Sequence, residues 1–300
     1  MEITSNIVDT PPRDAATVLV LRQGEQGMEV LMLKRHSDSK DLGGVFVFPG
    51  GKRDEADGAP EALAALKVDA QLLHAQLGEP QLAPTHAASL FIAALREAEE
   101  ECGLQLQASD LQAWSRWITP RMPSMMSKRF DTRFFLARAP HSQTAVQDNH
   151  ETTEILWSTP RQALIQYWQG DIVLAPPQIM SLSHLCLFKS VEEAMKEAAQ
   201  RTPPVILPEP FDQDGMRVIC YPGDPQHPVS QRALPGPTRL HFRNKRFEPA
   251  GGLADLLQAL TRLHPRPHVL QLQAQATLAL SVAEGSFSER IHAGGTPVVS

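Results

Sequence analysis

The chain has few cysteines and no apolar segment long enough to cross a membrane as a helix. Its three cysteines, Cys102, Cys186 and Cys220, lie far apart and form no Cys-x-x-Cys pair. The sequence therefore predicts neither a disulfide framework nor a cysteine-based zinc site. We also find no internal repeat and no low-complexity tract.

Positive charge is not in excess either. The 28 lysines and arginines face 34 aspartates and glutamates, which gives a formal net charge of −6. Such a chain has no general attraction for long nucleic acids or anionic membranes, so we expect a small-molecule partner whose phosphates are bound by local basic residues. Residues 1–14 lack the basic start and apolar core of a leader, and residues 297–300 are not a peroxisomal signal, which predicts a cytoplasmic location. Nothing in the sequence indicates the oligomeric state.

Length and composition fit a folded enzyme. A chain of 300 residues with 42% hydrophobic content can bury a sizeable core. Prolines interrupt the pattern between residues 203 and 210 and indicate a boundary. We predict a catalytic domain over residues 1–200 and a C-terminal extension over 201–300 that packs partly on it.

Carboxylates cluster in a segment, residues 90–102, whose apolar spacing predicts a helix. Its apolar residues fall on one face, whereas Glu97, Glu100 and Glu101 project from the opposite face. Hard divalent cations such as Mg2+ prefer carboxylate oxygens, and three carboxylates about one turn apart can share an ion. An isolated acidic helix is more often a solvated surface, so this pattern alone does not decide between the two interpretations.

Two further features favour a catalytic interpretation. Arg96 opens the acidic run and Gly103, a natural helix stop, closes it. Upstream, Gly50-Gly51 follows the apolar run 45–48, where a strand would end in a turn whose backbone can approach a metal or phosphate closely.

These residues resemble the signature of the Nudix hydrolases: a Gly, five residues, a Glu, seven residues and then the Arg-Glu cassette. Counting from Gly51, the first acidic position holds Asp57 instead of Glu, and Arg96 arrives too late for the usual spacing. The signature is split by an insertion, about residues 58–85, whose leucines predict one or two helices. The resemblance implies an α/β/α sandwich around a mixed sheet (α/β, or α+β) that hydrolyses a diphosphate with Mg2+ or Mn2+.

The split signature is similar to the coenzyme A diphosphatase branch of that family. Arg35, Lys40, Gly44 and the run Phe48 to Gly51 match an additional motif of the branch, although Leu33 and His36 depart from it. The resemblance implies cleavage of CoA or acyl-CoA to 3',5'-ADP and (acyl-)4'-phosphopantetheine. Two alternatives stay open: a pyrophosphohydrolase of nucleotide sugars, NADH or dinucleotides, and a non-catalytic Nudix ligand-binding module.

The family resemblance also implies roles for particular residues. Glu97, Glu100 and Glu101 would bind the metal together with the backbone carbonyl of Gly50, and Arg96 would orient them. The general base would be Glu97 or one of two later carboxylates in a region where many relatives place an extra acidic residue: Glu151 and Glu154.

Four residues are candidates for contacting the substrate. Arg35 and Gly51 lie in the family motif, and an arginine there can bind a diphosphate with two parallel hydrogen bonds. Arg129 and Arg133 alternate with apolar residues, so that a strand would present both on one face. That face can engage phosphates or be a surface of paired charges.

Strand patterns surround the carboxylate helix. An early hairpin is predicted at 16–21 and 30–33, followed by strands at 45–48, 114–118, 130–137 and 155–157 and a helix from Pro160 to Trp168.

Overall fold

A mixed sheet of eight strands forms the centre of the protein in the computed structural model, which describes residues 5–148 and 150–257. The part of the predicted C-terminal extension beyond residue 257 lies outside the described residues. In chain order the strands of this sheet are β1 (Arg13–Gly24), β2 (Gly27–Arg35), β3 (Phe46–Val47), β4 (Gly50–Lys52), β5 (Gln112–Ile118), β6 (Phe130–Arg138), β7 (Thr152–Ser158) and β8 (Val205–Ile206).

The predicted hairpin is confirmed, because β1 and β2 pair antiparallel across the turn between Gly24 and Gly27. β1 pairs parallel with β6 along its other edge, from Arg13 opposite Phe130 to Leu21 opposite Arg138. The main path through the sheet runs β3-β2-β1-β6-β5-β8, while β4 pairs with β1 and β7 with β2. The two orientations together confirm the predicted mixed sheet.

Helices cover both faces of this sheet. They are α1 (Pro60–Ala65), α2 (Ala70–Leu77), α3 (Pro84–Cys102), α4 (Pro160–Gln169), α5 (Pro176–Leu185), α6 (Val191–Gln200) and α7 (Leu253–Leu257). One apolar cluster joins α3 to a face of the sheet through residues such as Phe91 and Phe135. A second cluster joins α4, α5 and α6 to the opposite face, which carries Trp114 and Phe134. The layers confirm the predicted α/β/α arrangement.

Local sequence explains where α3 begins and ends. Pro84 occupies the start of the helix, where a missing backbone N–H costs nothing. Gly103 follows its last residue in the left-handed conformation with φ of 67°, and its N–H bonds back to the carbonyls of Ala98 and Glu99. This helix therefore presents the predicted carboxylates at its C-terminal end.

The insertion forms two helices, α1 and α2, as the leucine pattern indicated. The segment after α2 is tied to the central sheet by Glu79, whose side chain is buried. Glu79 accepts two hydrogen bonds from Arg133, at 3.0 and 2.7 Å, and lies 2.9 Å from a guanidinium nitrogen of Arg116. The insertion is thus anchored in the fold by buried ion pairs.

Residues after 200 also contact the central sheet. β8 pairs with β5, so the chain continues the sheet before it forms a second one. That second sheet is antiparallel and consists of β9 (Glu209–Gln213), β10 (Met216–Cys220), β11 (Arg239–Arg243) and β12 (Arg246–Glu248). Tyr221 packs edge-on against Trp117 of β5. Among the described helices, none has the length and apolarity needed to cross a membrane.

Removing the buried anchor should destabilise the fold. We expect Glu79→Ala to lower the free energy of unfolding by about 3 kcal/mol, because it leaves the buried Arg133 with less compensating charge. Denaturant titration followed by circular dichroism measures the change. Glu61→Ala in α1 is the control, since Glu61 is exposed and its loss should cost less than about 0.5 kcal/mol. Equal stabilities of the two variants would contradict the anchoring role.

Candidate active site

The two parts of the split signature meet in space. Arg96 on α3 binds Asp57 with two parallel hydrogen bonds: Nε donates to Oδ1 at 2.9 Å and Nη2 to Oδ2 at 3.1 Å. Asp57 lies in a short 3-10 turn, Glu55–Gly58, and is only 2% exposed. A paired arginine and carboxylate in this geometry are strongly attracted. The insertion therefore separates these residues in sequence but not in the fold.

Arg96 also holds two of the candidate ligand carboxylates. Its Nη1 donates to Glu97 at 2.8 Å and to Glu100 at 2.9 Å, and its Nη2 donates to the carbonyl of Lys52 at 3.0 Å. The hydrogen bond to Asp57, aided by Glu97, raises the pKa of Arg96 above its already high usual value. The guanidinium stays charged and is hydrogen-bonded to both glutamates.

The third carboxylate lies against the glycine pair. The backbone N–H of Gly50 donates to Glu101 Oε2 at 2.8 Å. Burial raises the pKa of Glu101 to about 8, and the negative charges of Glu97 and Glu151 add to the effect, although the Gly50 hydrogen bond opposes it. Burial likewise raises the pKa of Glu97. The ionised forms of these two carboxyl groups are therefore disfavoured in the absence of a nearby cation.

The glycines were expected in a turn, but they lie in the short strand β4. Gly50 pairs with Thr17 and Gly51 with Ala16, while the bend falls just before them. A Cβ on Gly51 would lie 2.4 Å from Glu97 Oε1, and one on Gly50 would lie 2.5 Å from the carbonyl oxygen of Ala16. Both glycines are required by close approach, because a larger residue would displace the strand or the carboxylate.

The chemistry of the donors fits a hard divalent cation. Glu97, Glu100 and Glu101 supply carboxylate oxygens, the ligands that Mg2+ and Mn2+ prefer. Across residues 5–148 and 150–257, no three acidic, histidine or cysteine side chains are already gathered around a common metal position. Arg96 occupies oxygens of Glu97 and Glu100, and Gly50 occupies one of Glu101. Binding an ion would require these oxygens to exchange some of their hydrogen bonds.

A cavity of about 660 Å3 opens beside these carboxylates, a size typical of small-molecule sites. Its charged part includes Arg35, Glu97, Glu100 and Glu151, and Gly51 lines it beside Glu97. Its apolar part draws on three regions of the chain: Trp117, Phe130 and Phe134 of the sheet, Pro176 of α5, and Pro208 and Ile219 from beyond residue 200.

The two candidate bases are in different environments. Glu151 lines the cavity, and its backbone N–H is held by the side chain of Asp148. Glu154 is exposed and forms an ion pair with Lys34 at 3.2 Å on the surface of β7. The prediction for Glu154 is therefore wrong, because the strand turns that side chain toward solvent.

The prediction for Arg129 and Arg133 chose the wrong face of β6. Arg133 is 3% exposed and is held by Glu79, Asp14 and Asp131, so it has no capacity for substrate. Arg129 donates to the backbone carbonyls of Thr10 and Thr119. Strand alternation does place the charged residues together, but the insertion covers that face.

The opposite face of β6 lines the cavity, and our sequence reasoning missed it. Phe130, Thr132 and Phe134 face the cavity from β6, and Arg13, Ala15 and Thr17 do so from β1. The alternating pattern itself was the available signal, since one face of β6 had to be charged and the other mainly apolar.

Comparisons with known proteins agree with this geometry. A family model described as the NUDT19 Nudix domain matches residues 100–185. The acyl-coenzyme A diphosphatase NUDT19 of Gallus gallus is 31% identical over 201 residues, which cover 63% of this chain and 50% of the relative. The protein of the same name from Xenopus laevis is 36% identical over 126 residues, which cover 39% of this chain and 32% of the relative. The match thus spans half or less of the length of these two relatives.

A solved structure supports the fold. The Nudix hydrolase from Alicyclobacillus acidocaldarius matches with a TM-score of 0.51 and 25% identity, covering 63% of this chain and 97% of that one. The family model, the two relatives and the solved structure thus all indicate similarity to Nudix hydrolases. The two relatives are named acyl-coenzyme A diphosphatases, the branch that the split signature resembles.

The close approach at Gly51 makes a direct prediction. Gly51→Ala should lower kcat/KM for a diphosphate substrate at least tenfold, because the added methyl group displaces Glu97. Steady-state kinetics and a thermal melt on the same preparation give activity and stability together. Gly170→Ala is the matched control: Gly170 ends α4 with φ of 89° and open space around it, so alanine should cost about 1 kcal/mol of stability and leave activity intact. Full activity in Gly51→Ala would contradict the role of this contact.

Proposed function

We propose that this protein is a metal-dependent pyrophosphohydrolase that cleaves CoA or acyl-CoA into 3',5'-ADP and (acyl-)4'-phosphopantetheine. The observation that carries the proposal is the reunited signature, in which Arg96 joins Asp57 to Glu97 and Glu100 at the edge of a cavity with charged and apolar parts. The names of the relatives, acyl-coenzyme A diphosphatases, support this substrate class. We retain the cytoplasmic location expected from the sequence as a prediction.

Mg2+ or Mn2+ would be held by Glu97, Glu100 and Glu101, with the Gly50 carbonyl as a further ligand. When bound, such an ion neutralises diphosphate charge and lowers the pKa of an attached water. Arg96 contributes by keeping the glutamates in fixed directions, since it already binds two of them. Burial raises the pKa of Glu101, and a cation at this position would favour its ionised form.

Arg35 is placed to bind the diphosphate. Its side chain lines the cavity, and its Nε is buried without a hydrogen-bond partner among the described residues. A buried donor without a partner costs free energy, and a phosphate oxygen would satisfy it. Arg35 therefore favours an anionic ligand beside the carboxylates.

Glu151 is the better candidate for the general base. It lines the cavity and lies near enough to Glu97 and Glu101 to raise their pKa values. Its carboxylate would accept the proton of the attacking water, while Glu97, if it binds the metal, is less basic. The water oxygen then bonds to phosphorus as the anhydride bond breaks.

The pair of carboxylates near β7 tests this assignment. Glu151→Gln should lower kcat by a factor of roughly 10^2 to 10^4, the usual contribution of a general base. Glu154→Gln should change kcat less than twofold, since that residue is exposed and paired with Lys34. Chromatographic assays of 3',5'-ADP formation at several pH values measure both variants. If Glu154→Gln is the impaired variant, the assignment of the base is wrong.

A substrate panel tests the proposed activity. CoA, acetyl-CoA, a longer acyl-CoA, NADH, ADP-ribose and a dinucleoside polyphosphate are each incubated with Mg2+ or Mn2+, and products are identified by mass spectrometry. We expect 3',5'-ADP from the CoA compounds at the highest kcat/KM. A higher kcat/KM for NADH, a nucleotide sugar or a dinucleotide than for the CoA compounds would show that the proposed substrate class is wrong. No turnover of any compound would favour a ligand-binding module.

Variants of α3 show whether the panel activity comes from this site. Glu100→Gln and Glu101→Gln should each lower turnover by a factor of about 100 or more while the protein stays folded. Glu99→Gln is the matched control on the same helix, because Glu99 is exposed and its side chain accepts a hydrogen bond from Gln105. Full activity in both ligand variants would contradict the metal assignment.

A further inference from the structure

The first residues of two parallel strands, β1 and β6, line part of the cavity. Arg13 of β1 lies opposite Phe130 of β6, and the backbone N–H of Arg13 donates to the carbonyl of Arg129 at 3.0 Å. Alternate residues of β1, beginning with Arg13, face the cavity, whereas Asp14 points to the other side of the sheet and binds Arg133. Lys128, two residues before Phe130, also lines the cavity.

Arg13 and Lys128 are thus exposed cations on adjacent chain segments, and both line the cavity. Within residues 5–148 and 150–257, neither side chain forms an ion pair. The nearby cavity carboxylate Asp41 is engaged by Ser127, through its N–H at 2.8 Å and its hydroxyl at 3.0 Å. Lys128 lies just before β6, and Arg13 begins β1 beside it. Like charges on adjacent segments repel, and a bound anion would relieve that repulsion.

The register of β1 gives the distance between this cation pair and the reaction centre. Gly51 pairs with Ala16, and the same glycine lies against Glu97. Arg13 is three residues before Ala16, which corresponds to roughly 10 Å along a strand that rises about 3.3 Å per residue. With the reach of two long side chains, the pair can contact a group a few ångströms from a diphosphate held at Gly50 and Gly51.

We propose that Arg13 and Lys128 form a subsite for a second phosphate of the substrate, a monoester on the nucleoside half of the ligand. This inference rests on the proposed function, in which that group is the ribose 3'-phosphate of CoA. A phosphate monoester carries nearly two negative charges, and a guanidinium can bind it with two hydrogen bonds. The pair therefore selects a phosphorylated nucleoside over one with a free ribose hydroxyl.

The experiment compares CoA with 3'-dephospho-CoA, which differ only in this phosphate. We measure the ratio of their kcat/KM values for the wild-type protein, Arg13→Gln, Lys128→Gln and the double variant. The wild-type protein should favour CoA about tenfold or more, and the ratio should fall to within about twofold of unity in the double variant. Arg121→Gln is the matched control, since Arg121 is exposed, pairs with Asp9 and should leave the ratio unchanged.

Binding without turnover separates this inference from the proposed function. Calorimetry in Mg2+ compares 3',5'-ADP with 5'-AMP on the same proteins, and we expect wild-type discrimination of about tenfold that the double variant loses. If CoA is not hydrolysed but this discrimination and its loss are observed, only the proposed function fails. If CoA is hydrolysed but the wild-type protein shows no discrimination, or the double variant retains it, the phosphate subsite is overturned.

Discussion

The pairing of Arg96 with Asp57 is the interaction on which the site depends. A guanidinium has donors in a rigid fork, so it can bind one carboxylate with one edge while its remaining N–H groups bind others. Here Arg96, in the C-terminal half of α3, binds both Asp57 in the turn after β4 and the carbonyl of Lys52. Because the attraction is through space, the chain between Asp57 and Arg96 can be long without changing the geometry of the carboxylates.

A long segment between two fixed points still has to be accommodated. Closing a longer loop costs only slightly more conformational entropy, so the insertion is tolerable if its own helices are packed. Leu73 and Leu77 of α2 are buried with α3, and Glu79 is buried with arginines of the sheet. The insertion therefore contributes to the layer that covers α3 and the charged face of β6.

The sequence was informative wherever the determining contacts are local. The C-terminal part of α3 and the hairpin depend on neighbours in the chain, and both were predicted, although α3 begins at Pro84, six residues before the predicted start. The face of β6 that lines the cavity was not predicted correctly. Alternation along a strand defines two faces, but it does not tell which of them the insertion will cover. Glu151 and Glu154 could not be separated for the same reason: their surroundings are Glu97 and Lys34, which are distant in sequence. Arg13 and Lys128 become neighbours only through the parallel pairing of β1 with β6.

The cavity wall has two sources, since Pro208 and Ile219 line it together with residues of β5, β6 and α5. The carboxylates come from a different part of the chain. Among the described residues, no hydrogen bond or ion pair links these carboxylates to Pro208 or Ile219. Substitutions in the later segment can thus reshape the apolar wall while the ionic network around Arg96 stays as it is. The apolar wall therefore limits the shape of a ligand independently of the carboxylates at the charged part of the cavity.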